Sequence, residues 1–111
     1  VKILIYKFNE RGNSMDIHFN SPDIELTSAL KSSAEEKIKR LEHLDANITT
    51  VNITMRVENV THIAEATIPL RGSDLHATAK GNDMYNAIDE LTDKLKTLII
   101  KHKEKQTDHH R

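Results

Sequence analysis

Between Val51 and Ala79 apolar side chains return at every second position three times over: Val51, Ile53, Met55 and Val57, then Ala64, Ala66, Ile68 and Leu70, then Leu75, Ala77 and Ala79. A period of two marks strands with one buried and one solvated face. The breaks between the runs, at Glu58-Asn59 and Gly72-Ser73, are short and turn-forming, so the three strands are expected as a meander. On both sides of this block the period changes. Upstream, Leu30, Ala34, Ile38, Leu41 and Leu44 recur at helical spacing behind Thr27, a suitable N-cap that lacks the Glu or Gln three residues on of a capping box. That helix is expected to stop near Asp45-Ala46-Asn47. Downstream of Gly81-Asn82, Asp83 is placed to cap a long helix with a stripe at Met84, Ile88, Leu91, Leu95 and Leu98, and His102 falls on the same line. Ahead of everything, Met15, Ile17 and Phe19 alternate as one more strand, ended by Ser21-Pro22-Asp23.

The order is therefore β-α-β-β-β-α. Each helix and each strand has one apolar face, which predicts an α+β fold with two helices packed on one face of a four-stranded sheet. The opposite face is expected to show His18, Asn52, Thr54, Arg56, Glu65, Thr67, His76, Thr78 and Lys80 to water. Pro69 has no N–H to donate and is expected at an edge or beside a bulge. A chain of 111 residues makes one domain with a thin core. Residues 15–105 carry the regular pattern; 1–14 read as an extra N-terminal segment outside the domain and 106–111 as a short polar tail. Met15 is the expected physiological start, because Glu10-Arg11-Gly12 is compatible with a purine-rich ribosome-binding site a few codons upstream.

Composition removes several classes of function. With no cysteine there is no disulfide framework, thiolate metal site or Cys nucleophile. At 37% hydrophobic and 30% charged residues the chain suits a globular protein, and no apolar run approaches the roughly 20 residues that span a bilayer. A cytoplasmic protein with no membrane partner is expected. No nucleophile–base pair, apolar carboxylate pair or phosphate loop is present, and Gly12, Gly72 and Gly81 are separate turn residues, so no enzymatic activity is expected. His62, Glu65 and His76 lie on neighbouring strands, yet no ligand spacing such as HExxH accompanies them, so neither metal nor cofactor is expected. Tyr85 reads as a packing residue with its hydroxyl at the surface. With aromatics at 4% the sheet has no base-stacking pair of the RRM kind.

Charge is more informative in its distribution than in its net of −1. Segment 15–26 carries Asp16, Asp23 and Glu25 with no Lys or Arg, whereas 94–105 carries five lysines against Glu104, a net of +4. At 100° per residue Lys94, Lys101 and Lys105 lie within about 40° of one another on one flank of the apolar stripe, and Lys96 and Lys103 lie on the other. Lys37 borders the stripe of the first helix, so side-by-side helices would share a basic groove suited to phosphates. The same lysines also fit ordinary helix design, complementing the dipole and snorkelling beside the core. Charge pattern alone leaves both readings open.

Met55-Arg56-Val57-Glu58, Ala64-Glu65-Ala66-Thr67, His76-Ala77-Thr78-Ala79, Asp83-Met84-Tyr85-Asn86-Ala87-Ile88-Asp89-Glu90-Leu91 and Lys101-His102-Lys103-Glu104-Lys105 tip the balance. With Asp93-Lys94-Leu95 between the last two, this series resembles the short-form hibernation factors of the ribosome-associated inhibitor A family, from Met15 to about Lys105. The resemblance implies the same β-α-β-β-β-α fold, related in shape to double-stranded RNA-binding domains. It implies binding to 16S rRNA on the 30S subunit, in the channel of messenger RNA and of A- and P-site transfer RNA, and hence translation inhibition. Short forms favour pairing of 70S ribosomes into 100S dimers, in some bacteria with a separate ribosome modulation factor. A relative that blocks dimerisation has a longer tail than Gln106–Arg111, so the dimer-promoting role is the one expected here. Carried over by position, the expected rRNA contacts are Lys37, Arg40, Lys80, Lys94, Lys96, Lys101, Lys103 and Lys105, with Arg56 and Arg71 as weaker candidates. Relatives commonly place Arg where this chain has Thr97, and Lys96 stands beside it. Off the ribosome a monomer is expected, and the alternative function is general binding of double-stranded RNA.

Overall fold

The alternating runs become strands because each lays a continuous apolar row against the two helices. A computed structural model describes the backbone of residues 3–10 and 13–108 and the side chains of residues 15–105. The elements are β1 (Ile3–Glu10), β2 (Asn13–Asn20), α1 (Ser28–Lys39) with a 3₁₀ turn at Arg40–His43, β3 (Thr50–Glu58), β4 (Thr61–Leu70), β5 (Ser73–Gly81) and α2 (Met84–Asp108). The expected β-α-β-β-β-α unit is present as β2 to α2. The sheet order is β1-β2-β3-β4-β5. β2 and β3 are parallel, with Ile17 opposite Val51 and Phe19 opposite Ile53; every other pair is antiparallel. A parallel pair needs a long crossover, and α1 supplies it.

Two boundaries differ from the sequence reading. The expected four strands are joined by a fifth, because Ile3–Glu10 pairs along the free side of β2, Leu4 opposite Phe19, Tyr6 opposite Ile17 and Phe8 opposite Met15. The alternation of Leu4, Tyr6 and Phe8 carried this signal. The connecting Arg11-Gly12 lies outside the described residues, as does the 109–111 end of the expected polar tail. At the other end α2 continues to Asp108, since Lys103-Glu104-Lys105-Gln106 are good helix formers with no Gly or Pro among them.

The core is one layer between the sheet and both helices. Met15, Ile17 and Phe19 of β2, Val51, Ile53 and Met55 of β3, and Ala64, Ala66 and Ile68 of β4 are buried against Leu30, Ala34, Ile38 and Leu41 of α1 and its 3₁₀ turn. From α2 the buried set is Met84, Ala87, Ile88, Leu91, Leu95 and Ile99. Ile99 thus takes the place expected of Leu98, which is only half-buried, because the helical period of 3.6 drifts away from an alternating three-and-four count. Thr27 caps α1 as expected, its Oγ1 accepting from Leu30 N–H at 3.1 Å. On β3, beyond its last pairing with β2, Val57 N–H donates to Asp23 Oδ2 at 3.2 Å, so the loop after β2 prolongs that edge. Pro69 pairs with Asp74 of β5 but lies past the end of the β3 pairing, so its missing donor leaves no β3 acceptor unmet.

The far face is more apolar than expected. Ile63 points away from the helices yet is 2% exposed, between Arg56 and Lys80 in register. Long basic side chains cover apolar surface with their aliphatic stems while their charges stay wet.

Two tests follow from the packing. A Cβ at position 81 would sit 2.8 Å from Ala87 N and 3.1 Å from both Asn86 Cβ and Asp83 O. Gly81→Ala must displace the first turn of α2, and a loss of about 1–3 kcal/mol in denaturant unfolding is expected; an unchanged midpoint would refute this seating. In α1, burial lifts the Glu35 carboxyl above its usual range and Lys31, 4.0 Å away, offsets this only in part. With the folded pKa above the unfolded one, the contribution to stability is full below the unfolded pKa and is lost as pH rises through the folded pKa. Glu35→Gln is therefore expected to raise the melting temperature at neutral pH, with the gain shrinking in acid; an equal gain at both would contradict it.

Candidate nucleic-acid interface

The position of every lysine on α2 follows from how that helix is seated. Asp83 Oδ1 accepts from Asn86 N–H at 2.9 Å and starts the helix, as the sequence predicts. Burial of Ile88, Leu91, Leu95 and Ile99 then fixes its rotation, with α2 lying over β4 and β5 and beside α1. One flank faces the edge strand: Lys94 Nζ donates to the main-chain oxygen of Thr78 on β5 at 2.7 Å. Lys101 and Lys105 continue this flank, exposed. The other flank faces α1. There Lys103 Nζ donates to Leu44 O at 2.9 Å, and Lys37 Nζ reaches from α1 to Asp89 Oδ1 at 2.5 Å. Lys96 shares this side and is exposed.

The structure thus brings Lys37, Lys96 and Lys103 to the seam between the helices. Arg40, at the C-cap of α1 and one turn beyond Lys37, is exposed beside it. Lys94, Lys101 and Lys105 form a second row at the β5 edge. Lys80 belongs to neither group: Ala79 enters the core, so its neighbour emerges on the far face of the sheet, across Ile63 from Arg56.

Free charge is not evenly spread among these groups. Arg56 is held by Glu65 at 3.0 Å and Glu58 at 3.4 Å, and the Glu65 hydrogen bond raises its already high pKa. The guanidinium is thereby turned to its own sheet. Thr97 Oγ1 donates to Asp93 O at 3.2 Å and is turned onto its own helix. Among the described residues Arg40, Arg71, Lys80, Lys96, Lys101 and Lys105 have no protein partner.

The trio His62, Glu65 and His76 does not assemble. His62 shares the helix-side face of β4 with Ala64 and Ala66, whereas Glu65 and His76 lie on the far face, Glu65 with Arg56 and His76 Nδ1 3.1 Å from Thr67 Oγ1. Among the described residues no group of His, Asp and Glu is placed to hold a metal ion, and no described helix is long and apolar enough to cross a membrane. Sequence reading missed the Asp89 partner of Lys37, which no local pattern marks. It also missed a recess that Arg71 and His102 both line, although the position of His102 on the apolar line of α2 was a visible signal.

These two kinds of lysine should separate by thermal unfolding. Lys94→Met, which loses the bond to Thr78, is expected to cost about 0.5–1.5 kcal/mol. Lys101→Met is expected to stay within about 0.5 kcal/mol of the parent; equal losses would mean that Lys101 also holds the fold.

Comparison with known proteins agrees with this architecture. The family model described as "Sigma 54 modulation protein / S30EA ribosomal protein" matches residues 17–107. The "Ribosome hibernation promoting factor" of Escherichia coli strain K12 is 39% identical over 95 residues, which cover 86% of this chain and 100% of that protein. The protein of the same name from Azotobacter vinelandii is 44% identical over 92 residues, 83% of this chain and 86% of the relative. In three dimensions a ribosomal subunit interface protein from Coxiella burnetii superposes with a TM-score of 0.75 at 28% identity, covering 79% of this chain and 97% of its own. The N-terminal domain of Thermus thermophilus Protein Y, at 23% identity, shares the fold with a TM-score of 0.70 over 76% of this chain and 93% of its own. With its layer order, its lysine-flanked last helix and these matches, the chain belongs to the Sigma 54 modulation protein / S30EA ribosomal protein family of ribosome hibernation and subunit interface factors.

Proposed function

We propose that this protein silences translation by lodging on the 30S subunit, in the channel that messenger RNA and A- and P-site transfer RNA use. The observation that carries this reading is a single helix with exposed lysines on both flanks, in a chain alignable with E. coli hibernation promoting factor along that protein's whole length. In this reading Lys96, Lys101 and Lys105 meet 16S rRNA phosphates directly, while Lys94 and Lys103 exchange or share their main-chain partners on binding. Lys37 and Arg40 extend the contact along the helix seam, and Lys80 meets rRNA that passes the sheet edge. Point charges on flexible stems read backbone shape and phosphate spacing rather than base sequence. Occupying the channel requires no turnover, so the protein acts as a plug in the cytoplasm, a monomer off the ribosome. Pairing of 70S ribosomes into 100S dimers, alone or with a ribosome modulation factor, is a further step of the same proposal.

A general binder of double-stranded RNA has a similar layer of helices on a sheet and is the reading to be separated from this one. Co-sedimentation with purified 30S and 70S ribosomes, with excess RNA duplex as competitor, makes the distinction. Saturation near one copy per subunit that resists the duplex is expected. Each phosphate contact should contribute about 0.7–0.9 to the slope of log affinity against log salt. The Lys94→Glu/Lys101→Glu double variant should remain folded and lose binding. Undiminished binding by that folded variant would sink the proposed contacts, and loss of the parent to duplex would favour the general binder.

A further inference from the structure

Where the C-terminal part of α2 meets the loops at its end of the sheet, a recess of about 630 Å³ opens. Asn47 and Thr49 line it from the connection into β3, Pro69, Leu70 and Arg71 from the end of β4 and its turn, and His102 from α2. Small-ligand pockets run from roughly 300 to 1,000 Å³ and combine apolar wall with a few convergent polar groups. Here Pro69 and half-buried Leu70 supply the wall. Asn47 and Thr49, both exposed, supply an amide and a hydroxyl that can each donate and accept. Arg71 adds an exposed guanidinium without a protein partner among the described residues. His102, half-buried, closes the recess on the α2 side.

An apolar wall, neutral groups that read an edge, and one cation together match a single nucleotide that has left its stack. RNA recognition of the sequence-reading kind works on such splayed bases, while a duplex hides those edges. Lys101 and Lys105, exposed within one turn of His102 on α2, are placed for the phosphates before and after it. We propose that this recess holds one unstacked ribonucleotide of single-stranded RNA, its base against Pro69 and Leu70, its edge bonded by Asn47 or Thr49, and its phosphate neutralised by Arg71. This deepens the ribosome reading and rests on it for the source of the RNA, not for the chemistry of the recess.

The test is an NMR titration of the full chain with the four ribonucleoside 5′-monophosphates, ribose 5-phosphate and short single-stranded oligoribonucleotides. Mononucleotides should shift the signals of His102, Thr49 and Arg71, ribose 5-phosphate should do so far more weakly, and oligoribonucleotides should bind more tightly than mononucleotides. Arg71→Ala should weaken oligoribonucleotide binding by about tenfold, the loss of one charge-assisted hydrogen bond. Equal response to ribose 5-phosphate would reduce the recess to an anion cradle. Mononucleotide binding as tight as that of oligoribonucleotides would make it a site for free nucleotides, and unmoved signals would overturn it outright. If ribosomes capture the protein but nucleotides leave the recess unmoved, the recess alone falls. If ribosomes do not capture it but the titration behaves as expected, the ribosome reading falls and the recess stands.

Discussion

The close approach of α2 to β4 and β5 is the contact on which the rest of this molecule depends. It is made possible by small residues: Ala64 and Ala66 on β4, Ala77 and Ala79 on β5, and Gly81, which has Ala87 N in the space its Cβ would need. Because the strands contribute little volume there, the helix supplies it, through Ile88, Leu91, Leu95 and Ile99. Interiors packed to crystal-like density tolerate little rotation of such a helix. The same contact that builds the core therefore aims the lysines, one row at the β5 edge and the other at the seam with α1.

A thin core leaves charged side chains with structural tasks as well as functional ones. Lys94 and Lys103 each tie α2 to a main-chain oxygen of a neighbouring element, and Lys37 ties α1 to α2 through Asp89. The exposed Lys37–Asp89 ion pair adds little stability, whereas each main-chain bond contributes about 0.5–1.5 kcal/mol, and together the three hold α2 in place against its neighbours. On the far face Arg56, Glu58 and Glu65 form a closed set beside the buried Ile63, which leaves Lys80 as the positive charge available there among the described residues. The electropositive character is concentrated on α2 and its seam with α1. A near-neutral chain can in this way present positive charge on one side while its net charge stays at −1.

The expectations that held rest on local rules. The three alternating runs, the caps at Thr27 and Asp83, and the apolar stripe of α1 are properties of residues a few positions apart, and steric or hydrogen-bonding preferences act at that range. β1 is hard to read from the sequence because a turn-rich stretch follows at once on the short alternation of Leu4, Tyr6 and Phe8. Leu98 and Ile99 are adjacent apolar residues on a drifting helical period, and only the tilt of the helix on its sheet decides which of them is buried. His62, Glu65 and His76 looked close in sequence order, but register puts His62 on the other face from its two companions.

By itself the sequence determined the element types and their order, the one-sided burial of sheet and helices, and the basic flanks of the last helix, since each is written in the spacing of neighbouring residues. The tertiary structure decided which of those charges are spent and which are available. Lys37 meets Asp89 across 52 positions and Lys103 meets Leu44 across 59, and Arg71 and His102 line one recess only because a turn and the C-terminal part of a helix converge. Periodicity sets the face on which a side chain emerges, but its partner depends on how two elements are placed in space, and that placement is fixed by the packing of the whole core.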